Sequence, residues 1–237
     1  MNQEIEKIAE IHTEFPDKFG IPRQSGLVWE LQGVIQFEPK FRSQDALRGI
    51  EEFSHLWLLW GFSKANQNGG FAPTVAPPRL GGKIRKGVFA TRSPFRPNSI
   101  GLSCVRLKEV CLGAAEGPLL VVEGADLLDG TPIYDIKPYL PYTDAHPEAE
   151  GSFGEEHCKE QIPVVFPEEL LCLLPADRRK AAIAVLSQDP RAAYQKKPDS
   201  VYGMAFAGYD IRFKVVDHVL IVCDVVRMQT DEWKKLK

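Results

Sequence analysis

Short apolar segments, bounded by Gly, Pro and polar residues, dominate the first 145 residues. Segments of this kind are typical of strands. They predict strands at Leu27–Leu31 and Val34–Phe37, joined by a hairpin turn at Gln32-Gly33, and a buried strand at Ser54–Phe62. Further strands are predicted at residues 87–91, 101–110, 119–124 and 133–136. We therefore predict a mainly β domain at residues 1–145.

The pattern changes after residue 145. Residues 146–162 are polar and acidic and are predicted to be a linker. Beyond them, helical segments at 168–174 and 176–186 are separated by Pro175, which interrupts a helix. Two strands are predicted at 209–216 and 219–226. Residues 163–237 are therefore predicted to form a small α+β domain.

The composition is that of a globular protein in water. Of the 237 residues, 44% are hydrophobic and 26% are charged. The longest apolar run, Leu56–Trp60, is far shorter than a membrane span, and the N-terminus lacks the pattern of a signal peptide. The five Cys show no C-x-x-C spacing, so we expect reduced thiols and no metal site. These features favour a cytoplasmic protein without a membrane partner.

Positive charge is concentrated in one stretch of a chain whose net charge is −3. Between Phe53 and Lys108 there is no Asp or Glu, but there are nine basic residues: Lys64, Arg79, Lys83, Arg85, Lys86, Arg92, Arg96, Arg106 and Lys108. Such segregation produces a local positive field that attracts polyanions. Residues 63–86 of this stretch are predicted to be a long irregular loop. Nucleic acid is the expected partner, and an ordinary solvated basic face is the alternative.

Common motifs for nucleotide binding and hydrolysis are absent from the sequence. There is no G-x-G-x-x-G and no P-loop, so neither a Rossmann site nor a P-loop site is indicated. G-x-S-x-G and H-E-x-x-H are absent too. A hydrolase that uses His55 with an Asp has no support in residue spacing. His55 lies beside an apolar run, where a structural role is expected.

Four loop segments contain residues that are suited to bind a ligand. They are Pro22-Arg23-Gln24, Pro77–Gly82, Ala90–Leu102 and Asp126–Tyr139. Their prolines fix φ and reduce the conformational freedom of the loops. In combination, three motifs resemble those of the TsaA-like family, the tRNA N6-threonylcarbamoyladenosine methyltransferases also called TrmO. They are P-P-R-L-G-G, T-R-S-P-F-R-P-N, and D-L-L-D-G-T-P followed by D-I-K-P-Y. The resemblance covers about Ile8 to Tyr142, and Gln188–Tyr194 resembles the family's bacterial C-terminal extension.

The resemblance implies a fold and an activity. The first domain would be a β-barrel-like S-adenosylmethionine-binding domain and not a Rossmann sheet. S-adenosylmethionine would bind between loops, near a homodimer interface. Its methyl group would go to N6 of threonylcarbamoyladenosine at tRNA position 37, next to the anticodon. The expected partners are therefore tRNA with that modification and a second copy of the chain.

Cofactor-binding roles follow by matching the family's motifs residue by residue. The positions are Pro22, Arg23, Gln24, Ser63, Lys64, Arg92, Leu102, Asp126, Leu127, Leu128 and Asp129. An Arg guanidinium is suited to hold the carboxylate of the cofactor, and an Asp carboxylate to accept from its ammonium or ribose. For Asp129 the alternative is turn chemistry alone, since Asp-Gly is a turn dipeptide.

Catalytic and tRNA-binding residues are expected in the same segments. Methyl transfer from a sulfonium requires alignment, and the weakly basic N6 must also lose a proton. The candidates to assist are Asp129 and Asp135, with Lys137 and Tyr134 to orient the substrate. The residues expected at tRNA phosphates are Arg79, Lys83, Arg85, Lys86 and Arg96. The alternatives are a non-catalytic RNA-binding module and a methyltransferase for another small substrate.

Overall fold

The computed structural model describes residues 4–62, 71–77, 84–152, 161–191 and 200–229. The chain divides into two compact units. The first is made of Met1–Thr13 and Arg23–Tyr139, and the second of Glu14–Pro22 and Leu140–Lys237. The chain therefore enters the second unit twice, once near its start and once after residue 139. The linker at residues 146–162 stays a prediction.

A closed barrel forms the body of the first unit. The described strands of this unit are β1 (Ala9–His12), β2 (Gln32–Phe37), β3 (His55–Gly61), β4 (Thr74–Val75), β5 (Lys86–Gly87), β6 (Ile100–Cys111), β7 (Leu119–Glu123) and β8 (Thr131–Pro138). The barrel order is β1-β2-β7-β6-β3-β8, with every pair antiparallel and β8 closing on β1. Strands β4 and β5 pair with each other. The predicted mainly β, barrel-like domain is confirmed.

Alternating side chains along the barrel strands build its core. On β3, Leu56 and Leu58 point inwards and are fully buried, whereas His55, Trp57 and Leu59 alternate with them and point outwards. Other fully buried core residues are Ile11, Ile35, Val105, Leu120, Val122 and Ile133. Because a closed barrel has no free strand edge, it is a rigid frame for the loops at its ends.

The hairpin predicted at Gln32-Gly33 is wrong, because both residues lie within β2. Gly33 pairs with Val122 on β7, and a Cβ on this glycine would lie 2.9 Å from Cδ1 of Ile11. Gly33 therefore permits close packing inside the barrel and does not form a turn. Leu27–Leu31 is irregular backbone in which Val28 and Leu31 are buried without forming a strand.

The prediction of a strand at residues 87–91 is also wrong for most of those residues. Strand β5 ends at Gly87, and Val88–Ala90 forms a 3-10 turn. Oγ1 of Thr91 donates to the carbonyl oxygen of Val88 at 2.9 Å, which stabilises this turn. The loop predicted at 63–86 lies largely outside the described residues.

A four-stranded sheet and short helices form the second unit. The described elements are α1 (Pro141–Asp144), β9 (Val164–Val165), α2 (Glu168–Leu171), α3 (Arg179–Ser187), β10 (Tyr202–Phe206), β11 (Tyr209–Val216) and β12 (Val219–Arg227). The sheet order is β10-β11-β12-β9, and β9 runs parallel to β12. The buried face of α3 consists of Ala181, Ala182, Val185 and Leu186. The predicted small α+β domain is confirmed.

The sequence pattern predicts β11 and β12 correctly but does not reveal β10. Met204, Ala205 and Phe206 are buried one after another, so apolar and polar positions do not alternate there. The helix predicted at 168–174 is shorter, since α2 ends at Leu171. In the described ranges, no helix has the length and hydropathy needed to cross a membrane.

Candidate active site

A half-buried carboxylate is the central feature of the candidate site. Asp126 follows β7, and its Oδ1 accepts a hydrogen bond of 2.6 Å from Oγ of Ser103. Ser103 is fully buried, because alternate side chains of β6 point into the barrel. Its Oγ accepts in turn from Nε1 of Trp60 at 3.0 Å. These two hydrogen bonds fix the position of the Asp126 carboxylate.

Burial also controls the ionisation of Asp126. Burial raises the pKa of its carboxyl, while the hydrogen bond from Ser103 and the positive charge of Arg92 act in the opposite direction. The backbone of Ser25 supplies a further hydrogen bond. Holding the ionised carboxylate in this place costs stability, and a cationic ligand group would reduce that cost. Asp126 is thus suited to accept hydrogen bonds from an ammonium or hydroxyl group of a ligand.

Two predicted cofactor-binding loops meet at the side chain of Arg92. Nη1 of Arg92 donates to Oε1 of Gln24. The loop that carries Arg92 is held in shape by Arg96, whose Nη1 donates to the carbonyl oxygens of Thr91 at 3.0 Å and Ser93 at 3.3 Å. The structure therefore brings Gln24, Arg92 and Asp126 together, although they are far apart in the sequence.

Two glycines let aromatic rings approach the backbone beside this cluster. A Cβ on Gly101 would lie 2.3 Å from Cε2 of Trp60, and a Cβ on Gly61 would lie 2.3 Å from the hydroxyl oxygen of Tyr134. Neither Trp60 nor Ser103 is predicted as a site residue by the sequence. A Trp at the end of an apolar run and a Ser at an inward position of a strand are the features from which they could have been found.

The other predicted cofactor-binding residues differ in exposure. Leu102 is 47% exposed, so its apolar side chain is accessible to a ligand. Leu127 and Leu128 are 1% and 7% exposed, so a ligand would reach their backbone and not their side chains. Pro22 is buried and Arg23 is exposed. Ser63 and Lys64 lie outside the described residues.

Asp129 has a structural role. Its Oδ1 accepts a hydrogen bond of 3.1 Å from the amide of Thr13 and lies 3.5 Å from Nδ1 of His12. Gly130 follows with a φ of +76°, as a turn before β8 requires. Among the described residues, no group of three or more His, Cys, Asp or Glu could hold a metal ion. The roles of Asp129 toward cofactor and substrate stay predictions.

Asp135 lies in the same row of the outer barrel face as Leu102. Leu59 on β3 pairs with Asp135 on one side and with Leu102 on the other. Since neighbouring strands are about 4.8 Å apart, Asp135 and Leu102 are separated by about 10 Å across the sheet. Oδ2 of Asp135 is 2.7 Å from Nζ of Lys137, and both side chains are partly exposed. This row can present a carboxylate and an apolar surface to the same ligand.

The described part of the basic stretch includes Arg85, Lys86 and Arg96. Nε of Arg85 donates to Oγ1 of Thr74 at 2.8 Å, and its Nη2 donates to the carbonyl oxygen of Thr74 at 2.7 Å. Arg85 and Arg96 therefore stabilise their own loops as well as supplying positive charge. Arg79 and Lys83 lie outside the described residues.

An exposed aromatic pair lies in the same stretch and is missed by the sequence analysis. The rings of Phe71 and Phe89 are 51% and 73% exposed, with centroids 6.2 Å apart and planes inclined by 25°. Exposed aromatic rings beside basic residues are typical of surfaces that stack with unpaired bases. The feature that could have found them is an aromatic residue at each end of a basic, glycine-rich loop.

Comparison with known proteins identifies the family. The family model described as the tRNA-methyltransferase O N-terminal domain matches residues 10–145, and that of the TrmO C-terminal domain matches residues 159–228. The chain belongs to the tRNA-methyltransferase O family.

Individual relatives are similar over most of the chain. A tRNA (adenine(37)-N6)-methyltransferase of Escherichia coli is 41% identical over 222 residues, which cover 90% of this chain and 94% of the relative. The crystal structure of TrmO from Pseudomonas aeruginosa matches with a TM-score of 0.76 at 34% identity, covering 95% of this chain and 100% of that chain. A Pyrococcus abyssi protein named as a probable S-adenosyl-L-methionine-binding protein is 39% identical over 137 residues, 58% of this chain and 68% of the relative.

Replacing Asp126 with Asn removes the buried charge and keeps the shape of the side chain. We expect Asp126→Asn to raise the free energy of unfolding at neutral pH, because burial raises the pKa of this carboxyl in the folded protein. The gain shrinks as the pH falls through the raised pKa and is gone below the ordinary value of 3.8. Urea unfolding of both proteins over a pH series measures this difference. A variant that is less stable at neutral pH would contradict the burial argument.

Proposed function

We propose that this chain is an S-adenosylmethionine-dependent methyltransferase that modifies N6 of adenosine 37 in tRNA, and that this adenosine carries a threonylcarbamoyl group. The observation that carries the proposal is the cluster of Gln24, Arg92 and Asp126, built by loops of a chain that matches the family in both of its domains. The assignment of the threonylcarbamoyl group to the substrate rests on the motif resemblance described above.

The cluster fits the charged end of S-adenosylmethionine. The carboxylate of that molecule needs hydrogen-bond donors, which Arg92 and the amide of Gln24 supply. Its ammonium needs an acceptor, and the ionised form of Asp126 would be stabilised by such a cation because burial otherwise disfavours it. The exposed side chain of Leu102 offers apolar contact to the adenine ring.

S-adenosylmethionine supplies a methyl group on a positively charged sulfur, which leaves as a neutral thioether. The residues of the chain therefore contribute mainly by alignment and by accepting the proton of N6. We assign that proton to Asp135, whose carboxylate is partly exposed and lies in one row with Leu102. In this proposal, Lys137 holds the carboxylate through their ion pair, and Tyr134 orients the substrate. Asp129 is less suited because the amide of Thr13 already occupies its Oδ1.

The basic stretch is proposed to bind tRNA. Its positive side chains (Arg79, Lys83, Arg85, Lys86 and Arg96) contact phosphates, and the pair Phe71 and Phe89 stacks with an unpaired base. A non-catalytic RNA-binding module would need this surface but not the buried Ser103–Asp126 pair. We also propose a homodimer, which the motif resemblance implies, and a cytoplasmic location, which the cysteine pattern favours. Sedimentation equilibrium tests the dimer.

We predict that Arg92 contributes to cofactor binding and that Lys86 contributes to tRNA binding. Arg92→Ala should weaken S-adenosylmethionine binding by about tenfold to a hundredfold, the effect of losing a hydrogen bond to a charged group. Lys86→Ala should change this affinity by less than about twofold, because Lys86 is assigned to tRNA phosphates and not to the cofactor. Isothermal titration calorimetry of both variants gives the comparison. Equal losses of S-adenosylmethionine affinity in the two variants would contradict this assignment of roles.

We predict that salt titrations distinguish the contribution of charge to tRNA affinity from the contribution of stacking. Lys86→Ala should reduce the slope of log affinity against log salt by about one, because one phosphate contact is lost. Phe89→Ala should weaken binding by about fivefold to a hundredfold without changing that slope, since stacking releases no counterion. Phe89→Tyr, which keeps the ring, is the matched control. A shallower slope for Phe89→Ala would exclude the stacking role.

Nucleoside mass spectrometry after incubation with S-adenosylmethionine tests the substrate. We expect methylation of tRNA that carries threonylcarbamoyladenosine and none of the same tRNA without it. Asp135→Asn should lower the methylation rate by about a hundredfold or more while S-adenosylmethionine affinity is kept, as expected for loss of a proton acceptor. Methylation of both tRNAs at the same rate would refute the proposed substrate.

A further inference from the structure

Residues Glu14–Pro22, which we call the strap, belong to the second unit although the chain on both sides of them belongs to the first. The family model of the N-terminal domain includes the strap, since it spans residues 10–145. The chain therefore leaves the barrel after Thr13, contributes nine residues to the second unit and returns at Arg23. The strap is therefore joined through the chain itself to barrel residues at both of its ends.

The strap is packed into the second unit by aromatic side chains. Phe15 is 1% exposed, and its ring centroid lies 5.4 Å from that of Phe206 on β10. Phe19 stacks with Phe213 on β11 at a centroid distance of 6.4 Å. At the start of the strap, the carbonyl oxygen of Glu14 accepts from the amide of Ala207 at 3.1 Å. These contacts make the strap part of the core of the second unit.

Local chemistry restricts the strap to one conformation. Oδ1 of Asp17 accepts from the amide of Phe19 at 2.7 Å. Gly20 has a φ of +97°, and a Cβ at this position would lie 2.5 Å from Sδ of Met204. Nε of Arg178 donates to Oε1 of Glu14. The Arg178–Glu14 hydrogen bond and the close approach of Gly20 to Met204 join the strap to other segments of the second unit.

Thr13, the residue just before the strap, is hydrogen-bonded to one predicted cofactor-binding loop. Thr13 donates through its amide to Oδ1 of Asp129 at 3.1 Å and through Oγ1 to the carbonyl oxygen of Leu127 at 3.0 Å. Both partners lie in the loop Asp126–Asp129. The position of this loop is therefore linked to the position at which the chain enters the strap.

The C-terminal end of the strap leads into the other loop. Pro22 is followed by Arg23 and Gln24, and Gln24 accepts the hydrogen bond from Arg92. Next along the chain, Oγ of Ser25 accepts from the amide of Cys104 at 3.1 Å, and the amide of Gly26 donates to the carbonyl oxygen of Gly124 at 2.9 Å. The loop that follows the strap and the loop that is hydrogen-bonded to Thr13 thus both contribute to the candidate site.

We propose that the second unit holds the strap in place and thereby positions the loops Pro22–Gln24 and Asp126–Asp129 for S-adenosylmethionine. Phe15 and Phe19 are the positioning residues. The physical reason is entropic, because nine residues without a partner would fluctuate. The loop that follows them and the loop that is hydrogen-bonded to Thr13 would then have to be ordered when the ligand binds. This inference rests on the proposed function for the identity of the ligand but not for the order of the loops.

Point variants of the full chain test the proposal. Phe15→Ala and Phe19→Ala should weaken S-adenosylmethionine binding by about twofold to thirtyfold at a temperature where both remain folded. Phe19→Tyr keeps the stacked ring and should restore the wild-type affinity. Val185→Ala, on the buried face of α3, destabilises the second unit away from the described strap contacts and should leave the affinity unchanged. Calorimetry measures the affinity, and thermal unfolding confirms that the variants are folded.

Hydrogen exchange separates this inference from the proposed function. In Phe19→Ala, the amides of Gln24 and of residues 126–129 should exchange faster than in Val185→Ala, whether or not S-adenosylmethionine is the ligand. Unchanged exchange at these amides would overturn the positioning role. A wild-type chain that binds no S-adenosylmethionine, but whose loop amides exchange faster in Phe19→Ala, would refute the proposed ligand and support the positioning role.

Discussion

The hydrogen bond from Ser103 to Asp126 connects the core of the barrel to its candidate site. Ser103 occupies an inward position of β6 that would ordinarily hold an apolar side chain, and its hydroxyl serves Trp60 and Asp126 at once. The carboxylate is consequently held by the rigid wall of the barrel although it lies in a loop. Burial of an acid disfavours its charge, and the nearby guanidinium of Arg92 offsets only part of this effect. A site of this kind sacrifices stability to gain affinity for a cationic ligand group.

The arginines of the basic stretch do not share one role. Arg85 and Arg96 donate to backbone and hydroxyl oxygens of their own loops, which stiffens the loops and leaves the positive charges near the surface. Arg92 instead donates a hydrogen bond to the side chain of Gln24, and its positive charge acts to lower the pKa of the Asp126 carboxyl. The same residue type thus stabilises a loop in one place and, in the proposed function, binds tRNA phosphates or the cofactor in another, according to where its guanidinium finds acceptors.

Much of this arrangement can be predicted from sequence, and the exceptions have physical reasons. Strands such as β11 and β12 are predicted well because their apolar positions alternate, and the loop motifs around Arg92 and Asp126 identify the family. Gly33 misleads because a glycine that relieves crowding against Ile11 has the same sequence appearance as a turn glycine. Ser103 and the strap are not found, because a buried serine and the packing of Phe15 on Phe206 depend on contacts between residues far apart in the chain.

A crystal structure of the chain with S-adenosylhomocysteine, the methyl-depleted product, is the measurement that tests the central claim most directly. The account predicts that the amino group of the ligand lies within hydrogen-bonding distance of Asp126 and its carboxylate within that distance of Arg92 or Gln24. It also predicts that the Ser103–Asp126 hydrogen bond persists in the complex. A ligand bound elsewhere on the barrel, with Asp126 still enclosed and in contact only with protein, would contradict the assignment of this cluster as the cofactor site.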